Sequence, residues 1–133
     1  MIGVVVATHG NLAAEMIRTA EAVVGKLPQV TAVSVVATKA DVRSGIDDAI
    51  RSVDTGEGVV LLTDLLGGSP TNLCLSFLTE RKVEVVTGVN LPMLLKLGGL
   101  RAGVKPIEQL ARELAEAGQK SIGHASDLLR RSM

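Results

Sequence analysis

Apolar residues fall into two spacings along this chain, and the two alternate. Ile2 to Ala7, Val30 to Val36, Gly58 to Leu62 and Val83 to Thr87 are short, valine-rich and nearly continuous runs, the pattern of strands covered on both faces. Between the first two, Asn11 to Gly25 carries Leu12, Met16, Ile17, Ala20 and Val23-Val24 at helical spacing, with Asn11 as N-cap and Gly25 as stop. Asp41 to Val53 sets Val42, Ile46, Ala49-Ile50 and Val53 on one stripe with charges opposite. Ser69-Pro70 opens a third helix over Thr71 to Thr79, because proline is tolerated in a helix's first turn. After the fourth strand, Gly88-Val89-Asn90-Leu91-Pro92 leads into a short helical stretch to Leu97. Lys105-Pro106 then begins a helix over Ile107 to Ala117, ended by Gly118. Gln119 to Ser126 is a candidate for a short strand ahead of a basic end. Strands alternating with helices of this length predict βαβ units: an α/β, doubly wound, mainly parallel sheet with helices on both faces.

Composition narrows the partners. The 133 residues are one domain's worth, so 1–133 is read as a single domain, and 47% hydrophobic against 21% charged residues describe a chain that folds. Fourteen basic and fourteen acidic residues cancel, which removes the bulk attraction a nucleic-acid binder uses. One Phe, no Tyr and no Trp leave no rings for base stacking and require an aliphatic core. A single Cys and two His neither close a disulfide nor suggest a zinc cage, so no metal and no cofactor are expected. Met1 to Thr8 lacks a basic leader and runs into His9-Gly10, and Leu91 to Leu100 is interrupted by Pro92, Lys96 and two glycines. Neither a signal segment nor membrane insertion is expected, and the expected location is the cytoplasm.

In an open parallel sheet the site lies beyond the carboxyl ends of the strands, where strand order reverses. Those loops hold Thr8-His9-Gly10, then Thr63-Asp64 with Gly67-Gly68-Ser69, then Gly88 and Asn90. A strand order of 2-1-3-4 sets the reversal between strands one and three and puts His9 opposite Asp64. A histidine bonded to a carboxylate through one ring nitrogen has a more basic and nucleophilic second nitrogen, the requirement of a phosphoryl acceptor. Gly67-Gly68-Ser69-Pro70 offers backbone N–H groups and a hydroxyl to an anion. Each feature taken alone also has a plain reading, Asp64 as a turn cap and the glycines as a tight connection; their coincidence carries the argument. His124 is read as structural or exposed, Cys74 as a small buried hydrophobe, Met93 as core, and Arg18, Lys96 and Arg101 as surface charges. Gly98 to Gly103 resembles the start of a Walker A loop, but Val104-Lys105-Pro106 replaces the required Lys-Ser/Thr. G-x-G-x-x-G and G-x-S-x-G are absent.

Ala7-Thr8-His9-Gly10, Thr63 to Asn72 (TDLLGGSPTN) and Gly88 to Leu94 (GVNLPML) together resemble, in order and over about the whole chain, the mannose-family enzyme IIA component of the bacterial phosphoenolpyruvate-dependent sugar phosphotransferase system. The resemblance implies that His9 receives a phosphoryl group from phospho-HPr and hands it to a IIB protein. It implies that Asp64 orients the imidazole through Nδ1, leaving Nε2 to carry phosphate, and that Gly68 and Ser69 help hold it. It further implies a homodimer in which a C-terminal antiparallel strand is exchanged, with Gln119 to Ser126 as the candidate. Many members run on through an Ala/Pro-rich linker into a IIB domain, whereas this sequence ends at Met133, so the IIB partner is expected to be separate. Leu66 stands where members can carry an aromatic residue. A regulatory protein using the same phosphorylation as a signal is a rival reading, as is the phosphoryl donor of dihydroxyacetone kinase; Gly-Gly-Ser-Pro and Gly-Val-Asn-Leu-Pro favour the mannose type over the latter. Sugar identity is not written in the chain.

Overall fold

The computed structural model describes residues 1–36 and 39–133. Four parallel strands, β1 (Gly3–His9), β2 (Val30–Val35), β3 (Val59–Thr63) and β4 (Val83–Val86), lie in the order β2-β1-β3-β4, as expected. The continuous valine runs are explained by what covers them. Val4, Val6, Val60 and Leu62 turn to one face, beneath α1 (Leu12–Val24), α4 (Leu91–Leu95), α5 (Leu97–Leu100) and α6 (Ile107–Lys120). Val5, Ala7, Val59, Leu61 and Val83 turn to the other, beneath α2 (Lys39–Val53) and α3 (Ser69–Leu75). Val4, Val5, Val6 and Ala7 are fully buried, and each valine side chain taken from water contributes about 1.5–3 kcal/mol. Register pairs Ala7 with Thr63, so His9 at the end of β1 and Asp64 just past β3 come to the same end of the sheet. Among the described residues no helix is long and apolar enough to cross a membrane.

Several local expectations change, each for a visible reason. Asn11 makes no side-chain cap at the start of α1; Thr8 Oγ1 accepts from the Ala13 N–H at 2.8 Å instead. The third helix begins earlier, at Ser69, and ends at Leu75, where the Ser76 hydroxyl takes the Leu73 carbonyl at 2.6 Å and the chain continues in tight turns. Gly118 does not end α6, which continues to Lys120. The glycine serves close packing: a Cβ there would stand 2.8 Å from Met93 Sδ. Met93 is core, as expected.

Gln119 to Ser126 is not a strand. Gln119 and Lys120 complete α6, while Ala125 and Ser126 open a further helix, α7 (Ala125–Arg131). Asp127 sits in its first turn, Arg130 and Arg131 in its last, and Asp127 pairs with Arg131 at 3.2 Å. That charge order suits the helix dipole and the i,i+4 spacing, a local preference that a lone polar segment follows.

Arg101 is the second correction. It is 5% exposed rather than a surface charge, and donates to the Ile2 carbonyl at 3.0 Å and the Pro28 carbonyl at 2.9 Å. It ties α5 to the start of β1 and to the approach to β2, far from the loops at the strands' carboxyl ends. Burial lowers its pKa. Arg101→Ala removes both bonds and opens a cavity, and is expected to cost about 3 kcal/mol in urea unfolding at neutral pH, without changing the chemistry at the other end of the sheet.

Candidate functional site

His9 is the last residue of β1 and Asp64 the first after β3, and adjacency of those strands brings the two together. The ring Nδ1 of His9 lies 3.0 Å from Asp64 Oδ2, and the same oxygen accepts the His9 backbone N–H at 3.1 Å. Two donors from one residue leave the imidazole little freedom to turn. Burial pushes the Asp64 carboxyl up, but the hydrogen bonds from the His9 side chain and backbone, with the His9 charge, outweigh it and hold the carboxyl below its ordinary range. Asp64 is therefore an ionised acceptor at neutral pH. Nδ1 must then carry the proton, which fixes the tautomer and leaves the Nε2 lone pair free. The His9 side chain is 51% exposed and that of Asp64 15%, so Nε2 sits on an accessible ring while the carboxylate partner is shielded. Asp64 Oδ1 is buried and has no hydrogen-bond partner among the described residues.

The loop between β3 and α3 brings Gly68 against the ring. A Cβ at Gly68 would stand 3.1 Å from His9 Cε1, so the absent side chain makes room for the imidazole. The Gly68 N–H is not free for an anion, since it donates to the Leu65 carbonyl at 3.2 Å. Ser69 and Asn72 line a cavity of about 320 Å³ with His9, Val35, Val36, Val42 and Leu73. Gly68→Ala is expected to displace the ring by a few tenths of an ångström. Any reaction at the ring should slow roughly tenfold while far-ultraviolet dichroism stays unchanged, since reactions are sensitive to small misplacements of the reacting group. Stopped-flow comparison with the native chain checks it.

Of the residues singled out in the sequence, His9, Asp64, Gly68 and Ser69 come together. Gly88 and Asn90 do not join them. Asn90 caps α4 by accepting the Met93 N–H at 3.2 Å and donates to the Gly118 carbonyl at 3.1 Å, and both residues border a different cavity. Val35, Val36, Val42, Asn72 and Leu73 were missed; the first two follow from the strand order, which sets the end of β2 beside His9. Cys74 is buried, its thiol pushed up to about 12 by that burial, and it is inert at neutral pH. His124 is exposed at the start of α7 and makes no capping bond. Arg18 is exposed and pairs with Glu15; Lys96 is exposed.

Comparison with known proteins agrees with this architecture. A family model described as PTS system fructose IIA component matches residues 3–114. The PTS system fructose-specific EIIA component of Bacillus subtilis (strain 168) is 26% identical over 132 residues, 97% of this chain and 90% of that one. The PTS system mannose-specific EIIAB component of Escherichia coli (strain K12) is 28% identical over 124 residues, 91% of this chain. The chain spans only 38% of the length of that curated relative. Among solved structures, phosphotransferase system component EIIA from Streptococcus agalactiae has a TM-score of 0.83 at 26% identity, covering 96% of this chain and 99% of that one. The PTS IIA protein associated with the fucose utilization operon from Streptococcus pneumoniae gives 0.81 at 31% identity, covering 96% and 95%. With the family model spanning most of the chain, the sheet order shared with solved IIA structures and the three loop motifs in their expected order, this chain belongs to the mannose-family IIA components of the phosphotransferase system.

Proposed function

We propose that the chain is a cytoplasmic phosphohistidine carrier that takes a phosphoryl group from phospho-HPr onto His9 Nε2 and passes it to a IIB component of a sugar phosphotransferase system. The observation that carries this reading is the 3.0 Å contact of His9 Nδ1 with Asp64 Oδ2 beneath a half-exposed ring. In the forward step the Nε2 lone pair attacks phosphorus while the bond from phosphorus to the donor breaks, and the donor leaves with that electron pair. The His9 ring keeps its proton at Nδ1 and becomes cationic, and the ionised Asp64 stabilises the charge. Transfer onward reverses these events, the acceptor attacking phosphorus as the bond to Nε2 breaks. Covalent capture divides one protein-to-protein transfer into two reversible steps. The Ser69 hydroxyl, beside His9 in the same cavity, is assigned to a phosphoryl oxygen, and Gly68 supplies the room in which ring and phosphoryl group sit. Incubation with phosphoenolpyruvate, enzyme I and HPr tests the reading by intact mass: one acid-labile phosphoryl group is expected, lost again when a cognate IIB protein is added. A chain that stays unmodified beside fully phosphorylated HPr contradicts it.

The same reading includes a homodimer. β4 is an edge strand, and such edges are normally paired or covered, while α7 leaves Leu128 and Leu129 exposed. Closed two-fold pairing of the segment after α6 with a second copy covers both. Light scattering is expected to give twice the 13.8 kDa chain mass, and removal of the residues after Lys120 is expected to give monomers or aggregates. A monomer at micromolar concentration contradicts the dimer alone.

A further inference from the structure

The loop that presents Asp64 is braced by two buried hydroxyls whose placement the phosphoryl chemistry above does not use. Thr63 is 0% exposed and Thr71 1% exposed. Thr71 Oγ1 donates to the Leu65 carbonyl at 2.7 Å, and the two threonine hydroxyls lie 2.6 Å apart. A hydroxyl has one proton. Thr71 spends its proton on Leu65, so Thr63 must be the donor between the pair, and the direction of the chain is Thr63 to Thr71 to Leu65. The hydrogen-bonded residues therefore bracket Asp64 on both sides along the backbone. A further bond, from the Val89 N–H to the Thr63 carbonyl at 2.9 Å, holds the β3 end of this brace against the loop after β4. Thr71 belongs to α3, so the brace ties the Asp64 loop to a helix that is itself packed on the sheet.

We propose that Thr71, through Thr63 and the Leu65 carbonyl, is a positioning residue that holds the Asp64 carboxylate on His9 Nδ1 and so sets the tautomer of the phosphoryl acceptor. The inference rests on the His9–Asp64 reading above. The brace is suited to this task because both hydroxyls are buried, and a buried hydroxyl that loses its partner goes unsatisfied, while the Leu65 carbonyl is shared with the Gly68 N–H at 3.2 Å and so ties the brace to the glycine turn beside His9. Loss of one member therefore moves the backbone instead of merely exchanging one bond for water. The carboxylate has little else to hold it: both contacts to His9 use Oδ2, and Oδ1 has no partner among the described residues.

Thr71→Val keeps the shape and deletes the hydroxyl, while Thr71→Ser keeps the hydroxyl. Nitrogen NMR of the His9 ring, with no phosphoryl donor present, is expected to show the Nδ1–H form in the native chain and in Thr71→Ser, and a tautomer mixture in Thr71→Val. The Asp64 carboxyl, followed by carbon NMR, is expected to titrate at higher pH in Thr71→Val, because the bonds from His9 are weakened while burial persists, and to return to its native position in Thr71→Ser. Phosphorylation is expected to slow roughly tenfold in Thr71→Val, and to slow no further when Thr71→Val is added to Asp64→Asn. Thr63→Val, which leaves the Thr71–Leu65 bond in place, carries the same expectations at smaller size and serves where Thr71→Val does not fold. A folded Thr71→Val or Thr63→Val chain with the native tautomer and native Asp64 titration overturns the proposal. So does a full additional rate loss on the Asp64→Asn background. The ring signals are read without phosphorylation, so they stand apart from failure of the carrier function itself.

Discussion

Replacing His9 with alanine is expected to abolish phosphoryl uptake from phospho-HPr, while His124→Ala leaves it at the native level. The contrast follows from the two settings. His9 ends a central strand, its tautomer fixed by an ionised carboxylate 3.0 Å from Nδ1, whereas His124 is exposed ahead of α7 without a capping bond. An imidazole whose Nδ1 proton is held by a carboxylate presents Nε2 as a basic, aimed nucleophile. Alanine supplies no nucleophile, and the chain's single cysteine, Cys74, is buried with its thiol pushed up to about 12. Because His9 is half-exposed, the substitution is expected to leave urea stability within about 0.5 kcal/mol. Phosphate persisting on the His9→Ala chain, by intact mass, defeats the assignment.

Asp64→Asn is expected to keep the fold and to slow single-turnover phosphorylation by at least about 10²-fold, with roughly 10⁴-fold as the figure for a comparable carboxylate–histidine pair. An amide oxygen still accepts from Nδ1, but it brings no negative charge to the imidazolium formed as the phosphoryl group arrives. It also permits a flipped amide that donates to Nδ1 and so moves the ring proton to Nε2, the position the chemistry needs free. The pH behaviour follows from the direction of the shift. The Asp64 carboxyl sits lower in the folded chain than its ordinary 3.8, so its contribution to stability is fully present above that value and is lost as pH falls through the depressed one. The Asp64→Asn chain is expected to lack that part of the acid sensitivity. Native single-turnover rates in the variant contradict the pairing.

The sheet and the pair at its end were legible for one physical reason. Valine-rich runs without alternation occur where both faces are covered, which requires a parallel sheet between helix layers, and such a sheet carries its polar loops at one end. Val4 and Val5 turn to opposite layers, as that reading demands. What escaped was decided by tertiary contacts. Gly118 looks like a stop by residue type, yet its role depends on Met93 lying 2.8 Å from where its Cβ would be. Arg101 looks like a surface charge until two carbonyls, from residues 2 and 28, converge on it. Asn90 stands in a strand-end loop, but cap and helix-carbonyl bonds commit it to α4 and α6. Gln119 to Ser126 reads as a short strand in the residue pattern, and the family likeness adds its exchange in a dimer, but the charge order around Asp127 and Arg131 favours a helix from Ala125 in the single chain. Apolar lining residues such as Val42 and Leu73 carry no chemical signature and emerge only from the cavity they share with His9.

On the proposed reading, His9 Nε2 carries the phosphoryl group while Asp64 holds Nδ1. A phosphorus–nitrogen correlation spectrum of the nitrogen-labelled, phosphorylated chain tests it most directly. One phosphorus signal coupled to Nε2 of His9 is expected, with the Nδ1 proton still present; coupling to Nδ1, or to any other residue, rules this assignment out.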